Sequence, residues 1–543
     1  MIEAVLVRVS QYEHNIHRYT LFLFRLKMTC SRLAIPYLIT MRGDDVTHEL
    51  LLTLEYESAV PLFRQLYERL RHAIIHGLLK EGEALPPSRT LCAALGISRT
   101  VVLEAYGQLQ AEGFVDARRG SRTYVTYKRD QVRHESEPLT PMGLECNERV
   151  ASLLAQDDAP LWIGENRKKK APQLGVIDFK HGVPAYDAFP IKTWSRCLVA
   201  ASGSAGPDML GYAPAEGSPA LRAEIARMLR HSRSLHAEPE QIVVTTGATQ
   251  ALDILSRVLL GPGAQVFLED PSHPVLRKLF AFAMADVVSV PVDRGGLRVD
   301  RMDAYAGGKD AGTKLVYVTP SHQFPLGVTM SLERRLQLLD WANRHGAFIV
   351  EDDYDSEFLY EGHKLSSLAG LLHSRNVIYV GSFSKILYPA LRIGYAVLQD
   401  DKLKSAFLAV KWISDRLTPT LEQETLALFM QSGGYARHIK AMNALYAERR
   451  ACLVECLRAS FGSRIVLHGS EAGLHLTVEL ESDMSERDIA RLALAEGVIV
   501  YPAADYFMLE NPVKPSFILG YAALTPYQIR KGVAVLHRIV NGR

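Results

Sequence analysis

Five short runs of β-branched and aromatic residues, spread between residues 242 and 380, constrain this sequence more than anything else in it. They are Ile242-Val-Val-Thr245, Gln265-Val-Phe-Leu268, Lys314-Leu-Val-Tyr-Val318, Phe348-Ile-Val350 and Val377-Ile-Tyr-Val380. Runs this short, with no polar face, suit strands covered on both sides. Helical patterns such as residues 249–260 and 332–345 lie between them. Strands alternating with helices predict an α/β domain with a mainly parallel central sheet, set over residues 176–543.

A second pattern precedes it. Leu62, Leu66, Leu70 and Ile74 recur every four residues after Pro61, with Arg64, Glu68, Arg69 and Arg71 between them. That is an amphipathic helix. Pro86-Pro87 then breaks the chain. Ser88 is placed to cap a short helix ending near Leu95-Gly96. Ser98 is placed to cap a second one, from Arg99 to about Glu112, ended by Gly113. Two short helices around a glycine-containing turn predict a helix-turn-helix. The stretch from Val115 to Val125, with Arg119-Gly120-Ser121 at its middle, predicts a hairpin or wing. This DNA-binding domain is set at residues 55–128.

Residues 61–128 carry a net charge of +4, which suits a phosphate backbone. Arg99 and Thr100 open the second helix, where a recognition helix meets base edges. Arginine pairs with guanine, and threonine can touch a thymine methyl group. Arg89 stands where it can reach a phosphate or a base, and Arg118, Arg119 and Arg122 lie on the wing. A winged helix serving as a protein–protein module also carries surface arginines, so composition alone leaves both readings open.

The remaining segments say less. Residues 1–45 are poorly patterned, and a chain starting at Met41 is expected to keep both activities. Residues 129–175 are read as a linker, with Lys168-Lys169-Lys170 in a solvated loop. The formal charge of +2 hides the basic head. No apolar run reaches the ~18–20 residues that span a bilayer, and Arg18, Arg25 and Lys27 break any signal-peptide pattern. The six cysteines show no C-x-x-C spacing, and Cys452 and Cys456, one helical turn apart, read as packing. The expected setting is a reducing cytoplasm, with no metal site and no membrane partner.

The chemistry gathers at predicted strand ends. Gly381-Ser-Phe-Ser-Lys385 follows the last of the five runs, and Arg392 and Gly394 come next. A lysine at the end of a buried strand can form a Schiff base with an aldehyde cofactor. The hydroxyls of Ser382 and Ser384 and the guanidinium of Arg392 can hold a phosphate. Ile349-Val-Glu-Asp-Asp-Tyr354 ends another strand with carboxylates. Asp352 or Asp353 can keep a pyridine nitrogen protonated, and Tyr354 can bond a ring hydroxyl. Thr246-Gly-Ala-Thr249 opens a helix, a phosphate site by its amides and dipole. Three such ends in one sheet point at one crevice.

Leu85-Pro-Pro-Ser-Arg89, Leu95-Gly-Ile-Ser-Arg-Thr100, Tyr106-x-x-Leu-x-x-Glu-Gly113 and Arg118-Arg-Gly-Ser121 resemble the GntR winged helix-turn-helix over nearly all of residues 61–128. Residues 178–540 resemble fold-type I aminotransferases. The fusion of the two is similar to the MocR subfamily of GntR regulators. That resemblance implies a cytoplasmic, pyridoxal 5'-phosphate-dependent transcription regulator that binds double-stranded operator DNA. It would sense the cofactor itself or a small amine or amino acid. The alternative is a working aminotransferase with an incidental head. The resemblance also implies Lys385 as the Schiff-base lysine, Asp352 as the partner of the pyridine nitrogen and Tyr354 at the ring hydroxyl. Ala248, Thr249, Ser382, Ser384 and Arg392 would form the phosphate cup. Tyr212, in Gly211-Tyr-Ala-Pro, matches a tyrosine that reaches the phosphate from a partner subunit, which implies a homodimer. On the DNA side it implies Ser88, Arg89, Ser98, Arg99, Thr100, Arg119 and Gly120. Three positions depart from the pattern. His273 replaces a ring-stacking tyrosine, Gln323-Phe-Pro-Leu-Gly327 replaces Asn-Pro-x-Gly, and Ile518 stands where aminotransferases place a carboxylate-gripping arginine. The arginine at the wing tip, Arg122, also replaces a commoner small residue.

Overall fold

The structure, a computed structural model, describes residues 35–42, 47–117, 122–128 and 175–542, apart from 307–311, 364, 372–374 and 511. It also describes the isolated positions 147 and 150. Two compact units divide at Glu145 and Cys146. The linker expected over 129–175, the lysine run and the wing tip with Arg118, Arg119, Gly120 and Ser121 lie outside the described residues.

The first unit opens with β1 (Ile35–Arg42) and β2 (Thr47–Leu54), paired antiparallel from Ile35↔Leu54 to Arg42↔Thr47. The sequence reading placed no strand there. Residues 35–39 and 50–52 are apolar without alternation, so period 2 gives no signal. The helix α1 (Leu62–Ile75) buries Leu66, Tyr67, Leu70, Ala73 and Ile74, the stripe that the four-residue spacing predicts. α2 (Ser88–Leu95) closes on Gly96, whose φ of +65° lets the chain turn in the left-handed region. Ser88 does not cap it. Pro87 occupies the cap position, Ser88 is the first helical residue, and no side-chain cap bond forms. With its ring fixing φ near the cap value, Pro87 takes the place that sequence alone would give to the hydroxyl. Ser98 does cap α3 (Arg99–Ala111), its hydroxyl accepting from the Val101 amide at 3.3 Å. The wing is β3 (Val115–Ala117) against β4 (Thr123–Val125), antiparallel with Val115↔Val125. Leu66, Leu91, Leu95, Val102, Leu109, Val115 and Val125 share one core. The Tyr106 hydroxyl donates to the Pro86 carbonyl at 2.7 Å and ties α3 to the double-proline break.

In the second unit β5 (Ile177–Asp178) leads to an eight-stranded sheet. Its strands are β6 (Ile242–Thr245), β7 (Gln265–Asp270), β8 (Asp286–Asp293), β9 (Gly296–Leu297), β10 (Lys314–Val318), β11 (Phe348–Asp353), β12 (Val377–Ser382) and β13 (Gly394–Val397). Their spatial order is 6-13-12-11-10-7-8-9. The neighbours from β12 through β8 are parallel, while β13 runs against β12 and β6. Alternation explains the continuous apolar runs. Val244, Phe267, Val316, Ile349 and Tyr379 enter the core on one face, and Val243, Val266, Leu315, Tyr317, Val350 and Ile378 enter the core on the other. Helices 248–259 and 332–345 lie within a residue of their predicted places. A four-stranded antiparallel sheet follows, made of β14 (Ile465–His468), β15 (His475–Leu480), β17 (Tyr501–Pro502) and β18 (Ser516–Gly520) in the order 14-15-18-17. β16 (Val498–Ile499) pairs in parallel with β5. Among the described residues no helix is long and apolar enough to cross a membrane.

Candidate functional site

β6, β7, β10, β11 and β12 all end at one edge of the large sheet, and the antiparallel β13 begins there. That edge brings together residues drawn from positions 246 to 392. Lys385 lies just past β12, and its Nζ donates to the Gly182 carbonyl at 2.9 Å. Gly182 has φ +67°, which strains any other residue, and a Cβ on it would stand 2.6 Å from Nζ and push the amine aside. Burial pulls the Lys385 pKa down, although Asp355 and Asp352 oppose it. A depressed pKa supplies the neutral amine that attacks a carbonyl.

Pleating decides between the two aspartates. Asp352 continues the Val350 face of β11, and Asp353 continues the Ile349 face. Asp353 is consumed by structure: Arg233 Nε lies 2.8 Å from its Oδ2 and the Tyr379 hydroxyl donates to it at 2.5 Å. Asp352 accepts a bond from the Tyr317 hydroxyl to Oδ2 at 2.6 Å, and its buried Oδ1 has no partner among the described residues. Burial pushes this carboxyl up to about 6. A buried acceptor left open in this way fits a protonated ring nitrogen. Tyr354 hydrogen-bonds the backbone carbonyl of His322 at 2.8 Å, with His322 Nδ1 at 3.2 Å.

The phosphate side is built around Gly247, which has φ +107° and caps helix 248–259. Ala248 and Thr249 are its first two residues, where amide groups lack intrahelical partners. The guanidinium of Arg392 lies over Gly247, and a Cβ there would meet it at 3.3 Å. Arg392 itself sits at φ +53° in the left-handed region, a conformation that costs a non-glycine residue about 1–3 kcal/mol. Ser382 Oγ accepts from the Ser384 amide at 3.2 Å. Sequence reasoning missed the support behind this loop. The Thr246 amide donates to Gln250 at 2.8 Å, Gln250 donates to Asp415 at 2.7 Å, and the buried Lys411 Nζ stands 2.9 Å from Asp415. Lys411 and Asp415 come from a distant helix and its C-terminal cap, and carry no local motif.

The other positions singled out in the sequence make the following contacts. Gln323 is buried and bonded to its own loop. Its amide donates to the Pro271 and Phe324 carbonyls, and its Oε1 accepts from the Leu326 amide. His273 caps helix 274–282, accepting from the Val275 amide at 3.3 Å, and its ring lies tilted against Phe324 at 5.6 Å. Tyr212 is 81% exposed and stacks under Arg416 at 5.4 Å. Ile518 is wholly buried in β18 between Thr477 and Tyr501. His322, Asp355 and His475 went unnoticed in the sequence and lie together, with ligand-type atoms within 4.8 Å of one another. His322 Nδ1 is 3.0 Å from Asp355 and His475 Nε2 is 3.2 Å from the Pro325 carbonyl. On the first unit Arg89, Ser98, Arg99, Thr100 and Arg122 are exposed and Ser88 is half-buried.

Comparison with known proteins agrees with this geometry. Residues 175–536 match the family of class I and II aminotransferases, and residues 62–125 match the bacterial regulatory proteins of the gntR family. The chain is 35% identical to the probable rhizopine catabolism regulatory protein MocR of Rhizobium meliloti, over 89% of this chain and 94% of that one. It is 32% identical to the pyridoxine biosynthesis transcriptional regulator PdxR of Corynebacterium glutamicum, over 72% and 78%. Among solved structures, the α-aminoadipate aminotransferase LysN of Thermus thermophilus, complexed with N-(5'-phosphopyridoxyl)-L-leucine, aligns with TM-score 0.61 and 28% identity. The alignment covers 68% of this chain and 93% of that one. A winged helix-turn-helix unit and an aminotransferase-type unit with pyridoxal 5'-phosphate as its cofactor define a pyridoxal-phosphate-dependent transcription regulator. Within that class, the chain belongs to the MocR-type regulators of the GntR family.

Proposed function

We propose that this regulator reads a small amine, or the cofactor itself, at Lys385 and passes the result to operator DNA held by α2, α3 and the wing. The observation that carries the reading is the pairing at one sheet edge of a buried lysine amine with Asp352, a carboxylate whose Oδ1 is open. When bound, pyridoxal phosphate supplies an aldehyde that condenses with amines and a ring that draws electrons from the resulting linkage. Lys385 would hold the aldehyde carbon, Asp352 would keep the pyridine nitrogen protonated, and Tyr354 would bond the ring hydroxyl. Gly247, Ala248, Thr249, Ser382, Ser384 and Arg392 would cradle the phosphate by amides, hydroxyls and one guanidinium. The ring of His273 covers less area than a tyrosine would.

In the head, Arg99 and Thr100 read base edges from the start of α3, and Ser88, Arg89, Ser98 and the wing residues Arg119 and Gly120 fix the register on the backbone. The chain acts as a homodimer. Tyr212 is supported in that role by its exposure, which leaves the ring and its Arg416 neighbour open to a second copy. An effector changes DNA binding by its differential affinity for two states of the dimer.

The test is retention of genomic DNA fragments by the purified chain with and without pyridoxal phosphate, followed by sequencing. A defined operator should be enriched, and its retention should change with cofactor in the wild type but not in Lys385→Ala. Arg99→Ala should weaken operator binding by roughly fivefold to a hundredfold, the range of one base-edge contact. Enrichment that ignores both substitutions would refute the proposal.

A further inference from the structure

Two buried polar atoms close to Lys385 have no partner among the described residues: Asp352 Oδ1 and His181 Nδ1. The pyridine nitrogen accounts for the first, and nothing in the phosphate cup accounts for the second. His181 precedes Gly182, whose carbonyl holds the Lys385 amine. Its other nitrogen, Nε2, lies 3.3 Å from the Tyr506 hydroxyl. The ring stands edge-on to Tyr501 at 5.4 Å and to Tyr506 at 5.8 Å, and tilted to Phe324 at 5.2 Å. His475 lies at 6.4 Å. These rings come from four separate parts of the chain and form one wall beside the lysine.

The wall carries no formal charge. Burial drives the His181 pKa down to about 3, with His273 and Lys385 adding to the effect, and burial holds His475 well below its ordinary value. β18 contributes only Ser516, Phe517, Ile518, Leu519 and Gly520, all buried. A carboxylate brought against such rings loses its hydration and gains no counter-charge from them. Lys180 is a cation whose field reaches both His181 and Lys385. A hydroxyl group suits the open nitrogen better. It donates and accepts, so it meets Nδ1 in either tautomer. The aromatic faces suit an uncharged carbon skeleton.

We infer that the amine sensed at Lys385 is a hydroxylated primary amine with no carboxylate on its amine-bearing carbon, and that His181 Nδ1 bonds its hydroxyl. This rests on the proposed role of Lys385 and goes further by assigning the ligand class.

The experiment titrates the full-length, cofactor-loaded chain with trans-2-aminocyclohexanol, cyclohexylamine and L-leucine, following the visible spectrum of the lysine-bound cofactor. The amino alcohol should half-saturate at a concentration about two- to tenfold below cyclohexylamine, the range of one net neutral hydrogen bond. L-Leucine should need still more. In His181→Leu the ratio between the amino alcohol and cyclohexylamine should fall to near one, and His181→Gln should keep part of it. The ratio is taken within one protein, so a general loss of stability does not imitate the result. Saturation by L-leucine at or below the amino alcohol's concentration overturns the inference, and so does an unchanged ratio in His181→Leu. A wild type that shows no visible band with pyridoxal phosphate would remove the Lys385 reading and the inference with it. A band without the preference removes the inference alone.

Discussion

At the scale of single residues, adjacent aspartates of one strand have opposite fates. Asp353 is neutralised by Arg233 and Tyr379, while Asp352 is left with one open oxygen. Such an arrangement costs the cofactor-free protein stability, and the sign of the pH effect follows. Burial in the folded protein lifts the Asp352 carboxyl to about 6, against 3.8 for a free aspartate. Between those values the native state binds more protons than the unfolded chain, so stability falls as pH rises through the window. The loss is complete above about pH 6 and amounts to roughly 2–3 kcal/mol. Asp352→Asn removes the titration. The cofactor-free variant should therefore melt above the wild type at pH 7 and level with it near pH 4. Equal melting at pH 7 would mean that the carboxyl is not held at that cost. The motif Glu-Asp-Asp-Tyr announced a carboxylate at this strand end but could not say which. A pair of neighbours always points to opposite faces, and the choice depends on Arg233 and Tyr317, remote in sequence.

At the scale of elements, the helix-turn-helix was legible because its signals are local. Gly96 and Ser98 act within one turn of the helices they bound. Ser88 misled for an equally local reason, since a proline before it had already set the entry to α2. This makes a paired prediction. Ser98→Ala removes a formed cap bond and should destabilise the head by about 1 kcal/mol, seen as a lower midpoint of its unfolding by circular dichroism. Ser88→Ala removes no cap bond and should leave that midpoint close to the wild type. A reversed order would mean that α2, not α3, depends on its first hydroxyl. The β1–β2 ribbon was not legible, because its side chains do not alternate. A chain starting at Met41 keeps only Met41 and Arg42 of β1, so it would lose most of the ribbon's pairing. The wall around His181 was also invisible in sequence. Its rings sit at positions 181, 324, 475, 501 and 506, and only the closing of the small sheet against the large domain's loops gathers them.

At the scale of the whole molecule, the question is whether an intact cofactor edge makes this chain an enzyme. In the proposed roles, Lys385, Asp352 and the phosphate cup would be the parts that a transaminase needs for the cofactor. The substrate side is different. Transamination of an α-amino acid requires its carboxylate to be fixed so that the Cα–H bond aligns with the ring. A bidentate arginine does this through two charged hydrogen bonds, each worth about 1.5–3 kcal/mol. At the matching place β18 has Ile518, wholly buried and hydrogen-bonded only through its backbone ladder. Losing both bonds costs on the order of 3–6 kcal/mol of transition-state binding, a factor of roughly a hundred to ten thousand. Nearby, His273 is tied to the start of its own helix by the bond from Val275. In the proposed stacking role its small ring would clamp the cofactor less firmly than a tyrosine. The holo-protein should condense with amines yet release keto acid from a panel of L-amino acids far more slowly than one turnover per second, the low end of ordinary enzymes. Turnover at that rate or above would require another cation to grip the carboxylate. It would also place the chain with the working aminotransferases, its DNA-binding head notwithstanding.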